Sequence, residues 1–127
     1  MNLETGMRGD AKLVVTEDDT AAALGSGAVE VLGSPRLIAL CEEATVNALM
    51  GALEDGTTTV GMRIQLDHLQ PTPVGAEVRA EAVLDRIDGR RLTFTVSAED
   101  SGGLVAAGKI TRAIVEVDRF MTKCCAT

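Results

Sequence analysis

The chain has no tryptophan, no tyrosine and only two phenylalanines. A core built almost without rings must be filled by aliphatic side chains, and apolar residues, at 46% of the chain, supply them. The same scarcity removes the stacking platforms on which single-stranded nucleic acid is held. Positive charge is short too: 12 basic residues face 19 acidic ones, for a net charge of −7. No basic run is longer than Arg90-Arg91, so a nucleic-acid backbone finds no continuous footing. Cysteine is limited to Cys41, Cys124 and Cys125, too few and too poorly spaced for a disulfide framework or a CxxC site. With one histidine and no close group of His, Cys and carboxylates, no metal site is expected. No glycine-rich phosphate loop precedes a helix. Apolar runs fall short of a membrane span, and MNLETGMRGD lacks the apolar centre of a secretory leader, so a reducing cytoplasm is the expected compartment. The final CCAT only superficially matches a prenylation box, because two of its positions are not aliphatic.

What remains suits a single domain over residues 1–127, with 1–10 and 121–127 as peripheral tails. AKLVVT (11–16) is predicted as a short strand, and Asp19 or Thr20 as the cap of one helical turn over AAAL. Ser34-Pro35 is a strong helix start: serine can cap the free N–H groups and proline fits the first turn. The helix then meets no breaker until Gly51. On a helical wheel only Arg36, Glu43 and Asn47 form a polar stripe, so other structure should wrap most of the helix. The rest alternates with the period of strands. Val60, Met62, Ile64 and Leu66 share one face of 58–70, and Val78, Ala80, Ala82 and Leu84 share one face of the next strand. Asp88-Gly89 signals a hairpin, followed by Leu92, Phe94, Val96 and Ala98 on one face. A last strand is expected over 104–120, bulged near Gly108. The predicted class is α+β: one strand, one long apolar helix, then four antiparallel strands in a meander that curls around the helix. Its uncovered edges and second face favour a dimer.

Two side chains stand out. Glu42 lies on the helix among Ile38, Val46, Leu49 and Leu53, where an ionised carboxylate needs a partner or a cavity. His68, the sole imidazole, follows Leu66 by two on the same strand face, so it is aimed at the same interior. Ser34 sits two helical turns before Glu42. A hydroxyl, a carboxylate and an imidazole can together perform acyl transfer. Each also has a plain structural explanation: a helix cap for Ser34, a satisfied core residue for His68, an interface residue for Glu42.

The run from Leu37 to Leu49, with VGMRIQLDHLQPTPVG, DGRRLTFTVSAED and GKITRAIVEV, resembles the fluoroacetyl-CoA thioesterase group of hotdog-fold proteins over about residues 12–120. The resemblance implies a hotdog fold, a curved antiparallel sheet around a central helix. It also implies a homodimer, possibly paired into a tetramer, with active sites at the subunit interface. It assigns catalytic roles to Ser34 (threonine in the family), Glu42 and His68. It further assigns substrate contacts to Gly61, from the neighbouring subunit, and to Arg112. The implied activity is hydrolysis of an acyl thioester, with coenzyme A entering only as part of the substrate and no separate cofactor. Arg90, Arg91, Lys109 and Arg112 are candidate contacts for its phosphates. The family's aromatic lid falls near Ala28, in a segment with no aromatic residue, so a short or medium acyl group is expected rather than fluoroacetyl. The alternatives are a non-catalytic binder of acyl-CoA or a hydrophobic metabolite, and a hydratase. The hydratase reading is weakened because Asp67 points away from the face that carries His68.

Overall fold

The structure, a computed structural model, describes residues 2–126. Met1 and Thr127, and with Thr127 the end of the CCAT sequence, lie outside the described residues. In chain order the elements are β1 (Arg8–Val14), a 3-10 turn (Glu17–Asp19), α1 (Ala21–Leu24), α2 (Ser34–Ala48), β2 (Thr57–His68), β3 (Glu77–Asp88), β4 (Arg91–Asp100), β5 (Gly103–Glu116) and α3 (Val117–Cys124). Arg8–Asp10, expected in the N-terminal tail, already belong to the first strand.

All five strands form one antiparallel sheet in the order β1-β3-β4-β5-β2. Only β3, β4 and β5 form a meander. Instead of pairing with the strand that follows it, β2 lies beyond β5 at the sheet edge. The eight residues after His68 hold two prolines, too long and too stiff for a hairpin turn, and they carry the chain across to the other side.

One face of the sheet is closed by α2. Val78, Ala80, Ala82, Leu84, Leu92, Phe94, Val96, Ala98, Ala106 and Ile110 on that face are buried, as are Leu37, Leu40, Cys41, Ala44 and Ala48 of the helix. Small residues let the layers approach closely. A Cβ on Gly9 would run into the backbone of Ala44 and Ala48, so β1 touches the helix directly. The expected wrapping of α2 is not found. Its far side, with Pro35, Ala39, Val46 and Met50, is exposed, and Met62, Ile64 and Leu69 of the adjoining edge are exposed as well.

The departure from simple alternation comes from bulges in three of the strand pairs. The β2–β5 register shifts between Gly61 and Arg63, and the β3–β4 register between Leu84 and Arg86. An extra residue reverses which positions face inward. Thr59 and Gly61 therefore share the helix-facing side with Ile64, Leu66 and His68, while Val60 lies on the other side and Met62 is the inserted residue. The bulge expected near Gly108 falls at Val105 instead: the β4–β5 register shifts between Ala98 and Glu99, with Val105 the extra residue of β5. Gly108 is required because a Cβ there would strike the backbone of Gln65 and Leu66. The last strand stops at Glu116, and α3 leaves the sheet with no buried residue.

Candidate active site

Ser34 is the first residue of α2, not its cap. Gly33 occupies the cap position and no side chain caps the helix. The serine hydroxyl is committed elsewhere: Oγ lies 2.8 Å from Nδ1 of His68, the last residue of β2. The other ring nitrogen, Nε2, is buried without a hydrogen-bond partner. A buried N–H without an acceptor costs more than a bare lone pair. We therefore assign the tautomer in which Nδ1–H donates to Ser34 and Nε2 carries the lone pair. Around this dyad Val31, Leu69, Gln70 and Pro71 line an open depression of about 260 Å³.

A second cluster lies further along the same strand face. Arg112 of β5 faces inward between Ile110 and Ile114 and is nearly buried. Its Nη1 donates to Oε2 of Glu42 at 3.0 Å. Its Nε donates to Oγ1 of Thr59 and its Nη2 to the Thr59 carbonyl, both at 2.9 Å. Burial lowers the guanidinium pKa, and the neighbouring Glu42 carboxylate opposes that shift by pairing with the cation. Gly61 is opposite Arg112, and a Cβ there would lie 2.5 Å from Oε2 of Glu42. Only glycine leaves room for the carboxylate against the strand. Next to Glu42, burial pushes the Cys41 thiol pKa up to about 11, with the carboxylate charge adding to the effect, so this thiol is inert.

Of the five sequence-designated residues, the structure joins Ser34 with His68, and Glu42 with Arg112 and Gly61. Among the described residues no hydrogen bond or ion pair links the two groups. Eight helical residues separate Ser34 from Glu42, about 12 Å along the axis. Gly61 and His68 are roughly 20 Å apart along the strand. Thr59 was missed by sequence reading because the Thr57-Thr58-Thr59 run resembles ordinary strand surface. The available signal was parity in β5: an arginine at an inward position between two isoleucines must find acceptors, and Thr59 supplies two. Of the other cations proposed for phosphate contact, Lys109 is instead paired with Asp85 at 2.9 Å.

A family model described as fluoroacetyl-CoA-specific thioesterase matches residues 15–118. The chain belongs to this family. The fluoroacetyl-CoA thioesterase of Streptantibioticus cattleyicolor is 34% identical over 94 residues, covering 74% of this chain and 68% of that protein. A solved structure of the fluoroacetyl-CoA thioesterase FlK superimposes with a TM-score of 0.90 at 29% identity, over 98% of this chain and 96% of that one. A hot-dog-like protein from Thermanaerovibrio acidaminovorans gives a TM-score of 0.87 at 25% identity, over 96% and 90% of the two chains. The architecture is the hotdog fold, and membership of this thioesterase family makes the protein a thioester hydrolase. Among the described residues no helix is long and apolar enough to cross a membrane.

Proposed function

We propose that the protein hydrolyses a short or medium acyl-CoA, or a related acyl thioester, in a site of Ser34, Glu42 and His68 completed across a homodimer. The observation that carries this reading is the Ser34–His68 contact. A serine at a helix start, expected as a cap, instead supports the only imidazole and leaves its Nε2 as a base. The two clusters lie too far apart to serve one carbonyl within a chain. They occupy opposite ends of the inner face of β2, a sheet edge beside exposed Val46, Met50, Met62 and Ile64. Such an edge invites a second copy. Antiparallel pairing of β2 with its copy about a twofold near Ile64 brings the Thr59–Gly61 end of one strand alongside His68 of the partner subunit. Glu42, held by Arg112, would then meet the partner's His68 across the thioester.

Glu42 can add to the thioester carbonyl and expel the thiolate, giving a mixed anhydride that water cleaves. It can also take a proton from the water that adds. Nε2 of His68 supplies or accepts the remaining proton. Single turnover in heavy-oxygen water labels Glu42 on the first route only. The loop 25–33 offers Ala28 and an exposed Val29 where the family has an aromatic lid, which supports an acyl group other than fluoroacetyl.

The test is an acyl-CoA panel with thiol release followed colorimetrically. Glu42→Ala and His68→Ala should each abolish turnover, and a mixed dimer of the two should regain about half of one wild-type dimer's rate, because one of its two sites is intact. Tight binding with no thiol release would replace the hydrolase by a binder. A dead mixed dimer would return the site to one chain.

A further inference from the structure

Two of the β-bulges, in β2 and in β3, do one thing in common: each turns an arginine outward. Strict alternation from Gly61 would send Arg63 to the core, and from Leu84 would send Arg86 there. The inserted Met62 and Asp85 reverse both, and both arginines emerge exposed on the sheet face away from α2. They emerge in register. Arg63 is opposite Thr111, Thr111 opposite Thr93, and Thr93 opposite Arg86, a straight row across four strands. The two threonine hydroxyls stand 3.4 Å apart at its centre. Arg91, two residues before Thr93, points the same way. The row lines a depression of about 400 Å³, to which Met62 and Asp88 also contribute.

The charges are unbalanced. Arg8, Arg36, Arg79, Lys109 and Arg112 each have a carboxylate partner. Arg63, Arg86 and Arg91 have none among the described residues, and Asp88 is the one carboxylate in the lining. In a chain of net charge −7, unpaired cations would be expected to neutralise nearby acids. Three guanidiniums around two hydroxyls instead offer forked donors and short O–H donors to a multiply charged tetrahedral group.

We propose that this row is a binding site for a phosphoryl anion. Two sources share that chemistry: the phosphorylated nucleotide end of a CoA thioester, and a separate phosphorylated metabolite. The site lies behind the Glu42 cluster, on the same two strands, since Arg63 follows Gly61 across the bulge and Thr111 adjoins Arg112. Assignment to the CoA end rests on the thioesterase reading; the anion site itself does not.

The experiment titrates the full chain with inorganic pyrophosphate by calorimetry, comparing wild type with Arg63→Gln/Arg86→Gln. It also compares KM for an acyl-CoA with KM for the matching acyl-pantetheine, which lacks phosphates. The double variant should bind pyrophosphate at least about tenfold more weakly, and raised salt should weaken the wild type. A KM rise confined to acyl-CoA assigns the site to the carrier's phosphates. Weakened pyrophosphate binding with both KM values unchanged assigns it to a separate phosphorylated ligand. Equal titrations together with equal KM values overturn the proposal. Absence of turnover with either thioester would instead sink the thioesterase reading and leave the titration to decide this one.

Discussion

Gly61→Ala tests the carboxylate cluster most directly. The added methyl would lie 2.5 Å from Oε2 and 3.6 Å from Cδ of Glu42, whereas ordinary contact begins at 3.4 Å. The carboxylate must therefore retreat by about 1 Å. Arg112 cannot follow, because Thr59 holds its Nε and Nη2. The 3.0 Å ion pair is then stretched beyond hydrogen-bond range. A hydrogen bond between charged groups contributes about 1.5–3 kcal/mol. Because the Glu42 side chain is 31% exposed and that of Arg112 only 8%, solvent compensates one partner and not the other. We expect a loss of about 2 kcal/mol, which for a chain of this size lowers Tm by about 8 °C. Activity should fall further, because a catalytic group displaced by about 1 Å costs on the order of 100-fold in kcat. Scanning calorimetry and the thiol-release assay read both. The decisive comparison is the same substitution in the Glu42→Ala background. With the carboxylate gone, the nearest remaining side-chain atom is Nη1 of Arg112 at 3.7 Å, so no further stability should be lost. A Gly61→Ala protein as stable and active as its parent, or a penalty that persists without Glu42, would refute the reasoning.

Three other outcomes follow from the same geometry. Ser34→Ala should reduce kcat while costing less than about 1 kcal/mol, the usual value of a cap, because Ser34 does not cap α2; a larger stability loss in chemical denaturation would contradict this. Thr59→Val keeps shape but leaves the Nε–H of a buried guanidinium without an acceptor, so stability should drop by about 1–3 kcal/mol and be largely restored in Thr59→Ser; equal midpoints for Val and Ser would refute it. Native protein at pH 8 should expose two reactive thiols, Cys124 and Cys125, with Cys41 reacting only on unfolding. The Cys41 pKa is raised from 9.0 to about 11, so the folded state holds the thiol proton longer than the unfolded chain does. Its contribution is complete below the unfolded value and is lost as pH rises through the folded one. Alkaline unfolding between those values should thus be delayed in Cys41→Ala relative to the parent, as read by circular dichroism.

Much of the scaffold was legible along the chain. Asp88-Gly89 marked the β3–β4 turn, and the alternation of Leu92, Phe94, Val96 and Ala98 identified the buried face of β4, because a hairpin strand against a core has only two sides to choose between. Glu42 was conspicuous because it interrupted apolar neighbours. Strict counting by twos failed at Val60 and Met62, since a bulge adds a residue without leaving a mark in composition. Val117–Phe120 was expected to continue the last strand because Val117 and Phe120 suit a strand locally, yet with no neighbouring strand to pair with, the chain closes its hydrogen bonds within itself as the helix Val117–Cys124.

The sequence by itself determined the layers: an almost wholly aliphatic core around Phe94, one long apolar helix, alternating strands, and an excess of acidic residues. These follow from residue type and period, which act locally. Tertiary structure alone decided that β2 leaves the meander for the sheet edge. It also decided that Ser34 turns to His68 rather than to its own helix, that Thr59 clamps Arg112, and that two bulges align arginines four strands wide. Each of these depends on which distant segments meet and in which register, and register is a property of paired strands rather than of either strand alone.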